Sequence, residues 1–142
     1  MKDEDMAPSE AGLLDGLTTG IAAMDAEHAV QVGHLDAVIA ALSQGRPADE
    51  VAAAVERLAA YTEAHFLGEQ LLMRQEAYPA YQQHLQEHDR LIARLHELKL
   101  LCAKGPLAGD EPALFRDWLV AHIQTEDVAL AGYLRGLREA AR

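Results

Sequence analysis

The sequence contains one cysteine, Cys102, so no disulfide can form within the chain. A lone thiol in a helical run fits reducing surroundings, where its ordinary part is that of a small buried hydrophobe. Basic residues are also scarce: 12 Lys and Arg stand against 23 Asp and Glu, for a net charge of −11. Phosphate backbones and anionic membrane surfaces are bound by clustered Lys and Arg, and no such cluster is present, so nucleic acid is not an expected partner. No apolar run approaches the ~20 residues of a membrane span, which excludes membrane insertion by a helix. The N-terminus, Met1-Lys2-Asp3-Glu4-Asp5-Met6, is acidic and has no apolar stretch behind it. It resembles neither a secretory signal nor a transit peptide, and a cytoplasmic location is expected. Aromatic residues make up only 5% of the chain, and its 10 glycines and 5 prolines gather in a few places.

What remains is rich in Ala, Leu, Glu and Gln, the composition of long helices. The chain has 142 residues, half of them hydrophobic. That is enough for one domain with a substantial core and too little for two. The expectation is an all-α fold over residues 1–142, with an N-terminal arm at 1–19 and a four-helix bundle at 20–142.

The breakers divide the bundle into four segments. Thr18 or Thr19 can cap a first helix on which Ile21, Met24, Val32, Leu35 and Ile39 recur at helical spacing, ending near Gly45. Pro47 and Asp49 open a second, carrying Val51, Val55, Leu58, Leu72 and Met73 and running to about Gln75. Tyr78-Pro79 starts a third, whose stripe of Tyr81, Leu85, Leu91, Ile92, Leu95 and Leu98 ends before Gly105-Pro106. Pro112 suits the first turn of a fourth, with Leu114, Phe115, Trp118, Leu119, Ile123, Leu130, Leu134 and Leu137 predicted to face inward. Helices of roughly 25 residues are about 37 Å long, and short connections force antiparallel neighbours. An up-down-up-down antiparallel bundle follows.

Five of the seven histidines fall on these apolar stripes. His28 lies four residues after Met24 and four before Val32. His65 and Glu69 are spaced i,i+4 on the second helix, and His84 and His88 repeat that spacing on the third. His122 follows Trp118 and Leu119 on the fourth, with Glu126 and Asp127 soon after. The i,i+4 spacing stacks two side chains on one face, close enough to converge on an ion or an ion pair. Taken singly, His65 with Glu69 reads as a helix-surface pair and His28 as a hydrogen-bonded core histidine. Taken together, the five need partners, because each buried unpaired polar group costs roughly 1–3 kcal/mol. Imidazole with carboxylate suits iron, zinc, copper or manganese. Five imidazoles and two carboxylates exceed the four ligands of a tetrahedral zinc and suit two adjacent metals sharing the carboxylates. Uniform helical geometry favours Glu126, at i+4 from His122, over Asp127 as the second carboxylate. His34 and His96 continue neither ligand face and read as surface or boundary residues.

At these residues the chain resembles the hemerythrin family, most closely its single-domain bacterial members, the bacteriohemerythrins. The resemblance rests on Thr19-Gly20-Ile21, Met24-Asp25 and His28; on His65-Phe66, Glu69 and Met73; on Tyr78-Pro79, His84 and His88; and on Trp118-Leu119, His122-Ile123 and Asp127. It implies a non-haem di-iron centre, oxo- or hydroxo-bridged. His84, His88 and His122 would hold one iron, and His28 and His65 the other. Glu69 and Asp127 would bridge them, the family pattern using Asp127 rather than Glu126. The second iron would keep the open position for dioxygen, the partner the family implies. Three positions depart from the pattern: Leu14 stands where a tryptophan is usual, the family usually has an isoleucine near Met24, and Gln70 replaces a second acid after Glu69. None removes a ligand.

The implied function is reversible dioxygen binding by a carrier, storage or delivery protein and not by an enzyme. The Glu-x-x-His pairs of ferritin-like oxidation enzymes are lacking, and neutral imidazoles favour the reduced pair. Leu119, one turn before His122, is the expected wall of an apolar dioxygen pocket, with Phe66, Trp118 and Ile123 nearby; plain core packing explains Phe66 and Ile123 equally well. An oxygen or redox sensor, an oxygen-consuming protein partner, or an enzyme acting on peroxide or nitric oxide are the alternatives, and a metal-free scaffold is the remotest.

Overall fold

Two glycines set the corners of the bundle. A computed structural model describes residues 16–107 and 110–141, so the arm before residue 16, with Leu14, lies outside the described residues. Helix α1 (Ala22–Ser43) ends where Gly45 takes the left-handed conformation at φ +65°. There Arg46 N–H bonds to Ala41 O and Gly45 N–H to Leu42 O, closing the last turn and satisfying its orphan carbonyls. Helix α2 (Ala48–Gln75) starts after Pro47, with Asp49 and Glu50 in its first turn where the helix dipole favours acids. Helix α3 (Tyr81–Lys104) ends at Gly105. The last helix comes in three consecutive pieces: α4 (Asp110–His122), a π-helical turn (Ile123–Asp127) and α5 (Val128–Ala140).

Thr19 does not cap α1 as expected; Ile21 occupies the cap position. Asp25, one turn inside the helix, instead accepts from both Thr19 N–H (2.8 Å) and Thr19 Oγ1 (2.7 Å). This ties the approaching chain to the first turn, and Arg135 from α5 donates to Thr19 O. Gly20 is favoured here by its φ of +92°, and a Cβ would also stand 2.7 Å from the Arg135 guanidinium, displacing the group that holds Thr19 O.

Each helix packs on its sequence neighbours, and α1 also meets α4, so the four rods close into an all-α antiparallel four-helix bundle. Among the described residues no helix is long and apolar enough to cross a membrane. Two apolar clusters fill the interior. One gathers Val32, Leu35, Leu58, Phe66, Leu95 and Leu119, with half-buried Cys102 packed against it. The other gathers Ile21, Met24, Met73, Leu130, Ala131 and Leu134. Along every helix the sequence passes from one cluster to the other through polar residues, so a polar layer is sandwiched between two dry ones.

Three residues expected to face inward do not: Leu114, Trp118 and Leu137 are 37–44% exposed. Leu114 and Trp118 each precede by one residue the buried pair Phe115 and Leu119, and one residue is about 100° around a helix. They sit on the flank, where the Arg94 guanidinium lies 4.7 Å over the Trp118 ring. Trp118 thus stands at the surface, whereas Leu119, Ile123 and Phe66 are fully buried.

Candidate metal centre

The polar layer contains all seven residues singled out in the sequence: His28 from α1, His65 and Glu69 from α2, His84 and His88 from α3, His122 from α4 and Asp127 from the π turn, each buried. The i,i+4 pairs behave as their spacing requires, stacking on one face. Asp127 reaches the same face by a different route. The Val128 N–H bonds to Ile123 O, five residues back, and the extra residue in that turn rotates Asp127 inward. Thr125 Oγ1 donates to Ala121 O at 2.7 Å, a side-chain bond that competes with the regular ladder at this point. Glu126 is turned outward and accepts from Gln83 Nε2 at 2.8 Å.

The two carboxylates divide their oxygens. Glu69 Oε1 lies 2.7 Å from His84 Nε2 and 2.9 Å from His88 Nε2, while its Oε2 lies 3.4 Å from His65 Nε2. Asp127 Oδ1 lies 3.1 Å from His84 Nε2 and 3.2 Å from His122 Nε2, while its Oδ2 lies 2.9 Å from His28 Nε2. Two groups of donor atoms result, each mutually within 4.8 Å: His84, His88 and His122 with both carboxylates, and His28 and His65 with the same two. Every histidine aims Nε2 at the carboxylates.

Hydrogen bonds within the cluster do not satisfy it. His28 Nε2, His65 Nε2, His122 Nε2, Glu69 Oε2 and both Asp127 oxygens are buried without a hydrogen-bond partner, although some lie within 3 Å of one another. Among the carboxylate oxygens only Glu69 Oε1 is satisfied inside the cluster, by His84 and His88 Nε2. Buried imidazole and carboxylate atoms left without partners are costly unless a cation takes them up. The donor set and its geometry fit metal ions.

Electrostatics follow from crowding. Burial alone would lower His65 and His84, but the carboxylates of Glu69 and Asp127, with Glu27 beside His65, overcome it and push both to about 9. Burial, helped by the His84 and His122 charges, leaves His88 below its ordinary value. Burial and mutual repulsion would raise the two acids, yet the surrounding imidazoles hold Glu69 and Asp127 well below the usual carboxylate range.

Two supporting side chains complete the layer. Glu27, 53% exposed, accepts from His65 Nδ1 at 2.7 Å. Gln70 Nε2 donates to His88 Nδ1 at 3.0 Å, which gives the departure at that position a structural role. Nothing in the sequence marks Glu27, because its contact crosses between helices. A buried pair, Gln31 Nε2 donating to Thr62 Oγ1 at 3.1 Å, was also missed. Its signal was present, since Gln31 lies three residues after His28 and Thr62 three before His65, both on inward stripes. Phe66 stacks on His88 with ring centroids 3.8 Å apart. His34 is half-buried, and exposed His96 pairs with Glu63 at 3.1 Å.

A four-helix bundle with this ligand-rich layer defines a class, and residues 19–134 match the hemerythrin HHE cation binding domain. The chain belongs to the hemerythrin family. It is 33% identical over 125 residues to bacteriohemerythrin of Pseudomonas paraeruginosa, covering 87% of this chain and 79% of that one. Bacteriohemerythrin of Stenotrophomonas maltophilia is 30% identical over 123 residues, covering 85% and 79%. Myohemerythrin of Sipunculus nudus is 32% identical over 83 residues, covering 58% and 65%. The fold is shared with a crystal structure of a leucine-to-phenylalanine mutant at a TM-score of 0.74 and 22% identity, over 80% of this chain and 88% of that one. In a chain of this family, the buried His, Glu and Asp cluster suits non-haem iron.

Proposed function

We propose that this protein binds two non-haem iron ions in the polar layer and uses them to bind dioxygen reversibly, as a carrier, store or delivery protein and not as an enzyme. The observation that carries the reading is the division of the carboxylates, Glu69 and Asp127 each turning one oxygen to the three-histidine group and the other to the two-histidine group. His84, His88 and His122 would hold one ion and His28 and His65 the second, with the carboxylates shared. The second group has one protein ligand fewer, which leaves room for a small exogenous molecule. A ferrous pair held there would supply the electrons for reversible dioxygen binding.

The rest of the work falls to the chain. Glu27 orients His65 by accepting from Nδ1–H, and Gln70 stands against Nδ1 of His88, where a turn of the amide would let its oxygen accept from Nδ1–H once Nε2 is given to a metal. The two apolar clusters keep bulk water from the layer, with Leu119, Phe66 and Ile123 packed on the same side as Val32 and Leu58. Iron analysis with optical spectra, after anaerobic reduction and then exposure to air, tests the reading. About two irons per chain and a visible band that appears in air and fades on deoxygenation are expected from a site of this ligand count. Iron that oxidises once without reversal would overturn the carrier reading.

One contact favours a second reading, an oxygen or redox sensor. Gln124, inside the π turn beside Asp127, donates to Gly16 O at 3.1 Å and so links the metal layer to the arm. Limited proteolysis of the arm that differs between reduced and oxidised protein would select it; identical cleavage would leave the carrier.

A further inference from the structure

Among the described residues, two grooves bring the surface to the polar layer. The larger, about 740 Å³, lies between α3 and α4 and touches the layer only at His122. Its charges are already matched, Arg90 with Glu87 at 2.7 Å and Arg94 with Glu97 at 3.1 Å, and Trp118 lies beneath Arg94. The smaller, about 270 Å³, lies between α1, α2 and α5 and is lined by Met24, Glu27, His65, Gly68, Glu69 and Arg138, among others. The layer is most open to solvent at this second groove. His65 is 7% exposed and Glu69 5%, while the other five residues are at 2% or less.

A hydrated divalent cation cannot enter a dry cluster in one step, because its water must be replaced by protein oxygen and nitrogen as it moves inward. The smaller groove offers that sequence. Glu27 stands at the lip with a half-exposed carboxylate, its Oε1 2.7 Å from His65 Nδ1. Behind it, His65 Nε2 and Glu69 Oε2 are buried without hydrogen-bond partners. The net charge of −11 draws cations to the surface, and the smaller groove sets two carboxylates, Glu27 and Glu69, against the one guanidinium of Arg138, whereas in the larger the acids and guanidinium groups cancel. We propose that the groove between α1, α2 and α5 is the port by which ferrous ion reaches and leaves the layer, with Glu27 as its first protein ligand. This rests on the iron-binding reading above.

Gly68 gives the test. Gly68 lies on the wall of this groove, and a Cβ there would meet nothing within 4 Å, so the position accepts a side chain at the border of the passage. Anaerobic uptake of ferrous ion by the metal-free full chain is followed as loss of the iron available to bipyridine, and release is followed by bipyridine challenge of the loaded protein. Gly68→Leu is expected to slow uptake and release severalfold while leaving the final iron content unchanged. Arg138→Glu, which removes the cation from the groove wall, is expected to speed uptake at low salt, with the gain lost at high ionic strength. Ala93→Leu, in the larger groove, is expected to change neither rate. Wild-type rates in both Gly68→Leu and Arg138→Glu, or slowing by Ala93→Leu, overturn the port while leaving the iron site standing. If Gly68→Leu does not fold, Arg138→Glu decides alone. A wild-type chain that takes up no iron overturns the site and the port together.

Discussion

Asp127 follows His122 by five residues, yet its Oδ1 lies 3.2 Å from His122 Nε2, because the helix between them is wound as a π turn. In a uniform α-helix that place beside His122 would go to Glu126, one residue earlier. One extra residue in one turn thus chooses which acid enters the layer. Asp127→Asn is expected to lower iron affinity by at least ~100-fold, beyond the 10–100-fold typical of losing a supporting partner, whereas Glu126→Gln should leave iron content unchanged. Iron titration of the two variants separates them, and equal losses would show that the π turn does not decide the ligand.

The metal-free protein should carry the electrostatic cost of the layer in its pH dependence. His65 and His84 stand at about 9 against 6.5 for the free side chain, so the stability they contribute is complete below about 6.5 and is lost as pH rises through 9. Glu69 and Asp127 are lowered, so their contribution is present above the ordinary carboxylate range and is lost as pH falls below it. His88, lowered mainly by burial, offsets the first effect only in part. Thermal melts in chelator should therefore peak between about pH 5 and 6.5 and decline toward pH 9, the window set by these shifts. Iron on the same nitrogens should remove much of that alkaline decline, since a coordinated Nε2 has no proton to lose. A flat profile for the metal-free chain from pH 6 to 9 would contradict the assignment of these two histidines as charged.

The legible part of the sequence was the part governed by uniform helical geometry. His65 with Glu69 and His84 with His88 declared themselves because i,i+4 on a regular helix fixes a shared face. The end of α2 was readable at Gln75, and the turn at Gly45 is one where only a residue tolerant of positive φ fits easily. What escaped were features set by departures from that geometry or by contacts between helices. Spacing alone selected Glu126, and the family pattern corrected it. The last helix carries more apolar residues than one stripe can bury, so periodicity does not separate Leu114, Trp118 and Leu137 from their buried neighbours. Glu27 on His65 is a pairing between α1 and α2, which no periodicity within one helix encodes, while the inward stripes mark Gln31 and Thr62 as buried without saying that they pair.

Ala77 occupies the same place at the end of α2 that Gly45 occupies at the end of α1. Tyr78 N–H bonds to Met73 O at 2.9 Å across a left-handed residue, but the residue at φ +52° carries a Cβ. Left-handed backbone costs an L-residue roughly 1–2 kcal/mol, and Tyr133 helps hold the turn by donating to Glu76 O at 2.8 Å. Ala77→Gly relieves that cost while adding freedom to the unfolded chain, for a net gain expected at up to ~1 kcal/mol. Urea denaturation of the metal-free protein measures it, and a loss of stability would mean that the alanine methyl is packed and not strained.

Leu119 is fully buried among the residues of the larger apolar cluster, one turn before His122, and Phe66 of that cluster stacks on His88. Two roles predict different consequences of Leu119→Ala. As core alone, the change removes contacts and leaves a cavity, costing about 2–5 kcal/mol in unfolding free energy with no special effect on the metal layer. As the wall that keeps water and protons from bound dioxygen, it should also speed loss of the visible band of the air-exposed protein. Ile123→Val, which removes one methylene from the same cluster at about 0.5–1.5 kcal/mol, supplies the comparison for a mild packing defect. Autoxidation rates measured well below each variant's melting temperature distinguish the roles. A rate rising in Leu119→Ala far beyond that of Ile123→Val places Leu119 at the dioxygen pocket, and rates that merely follow stability return it to the core.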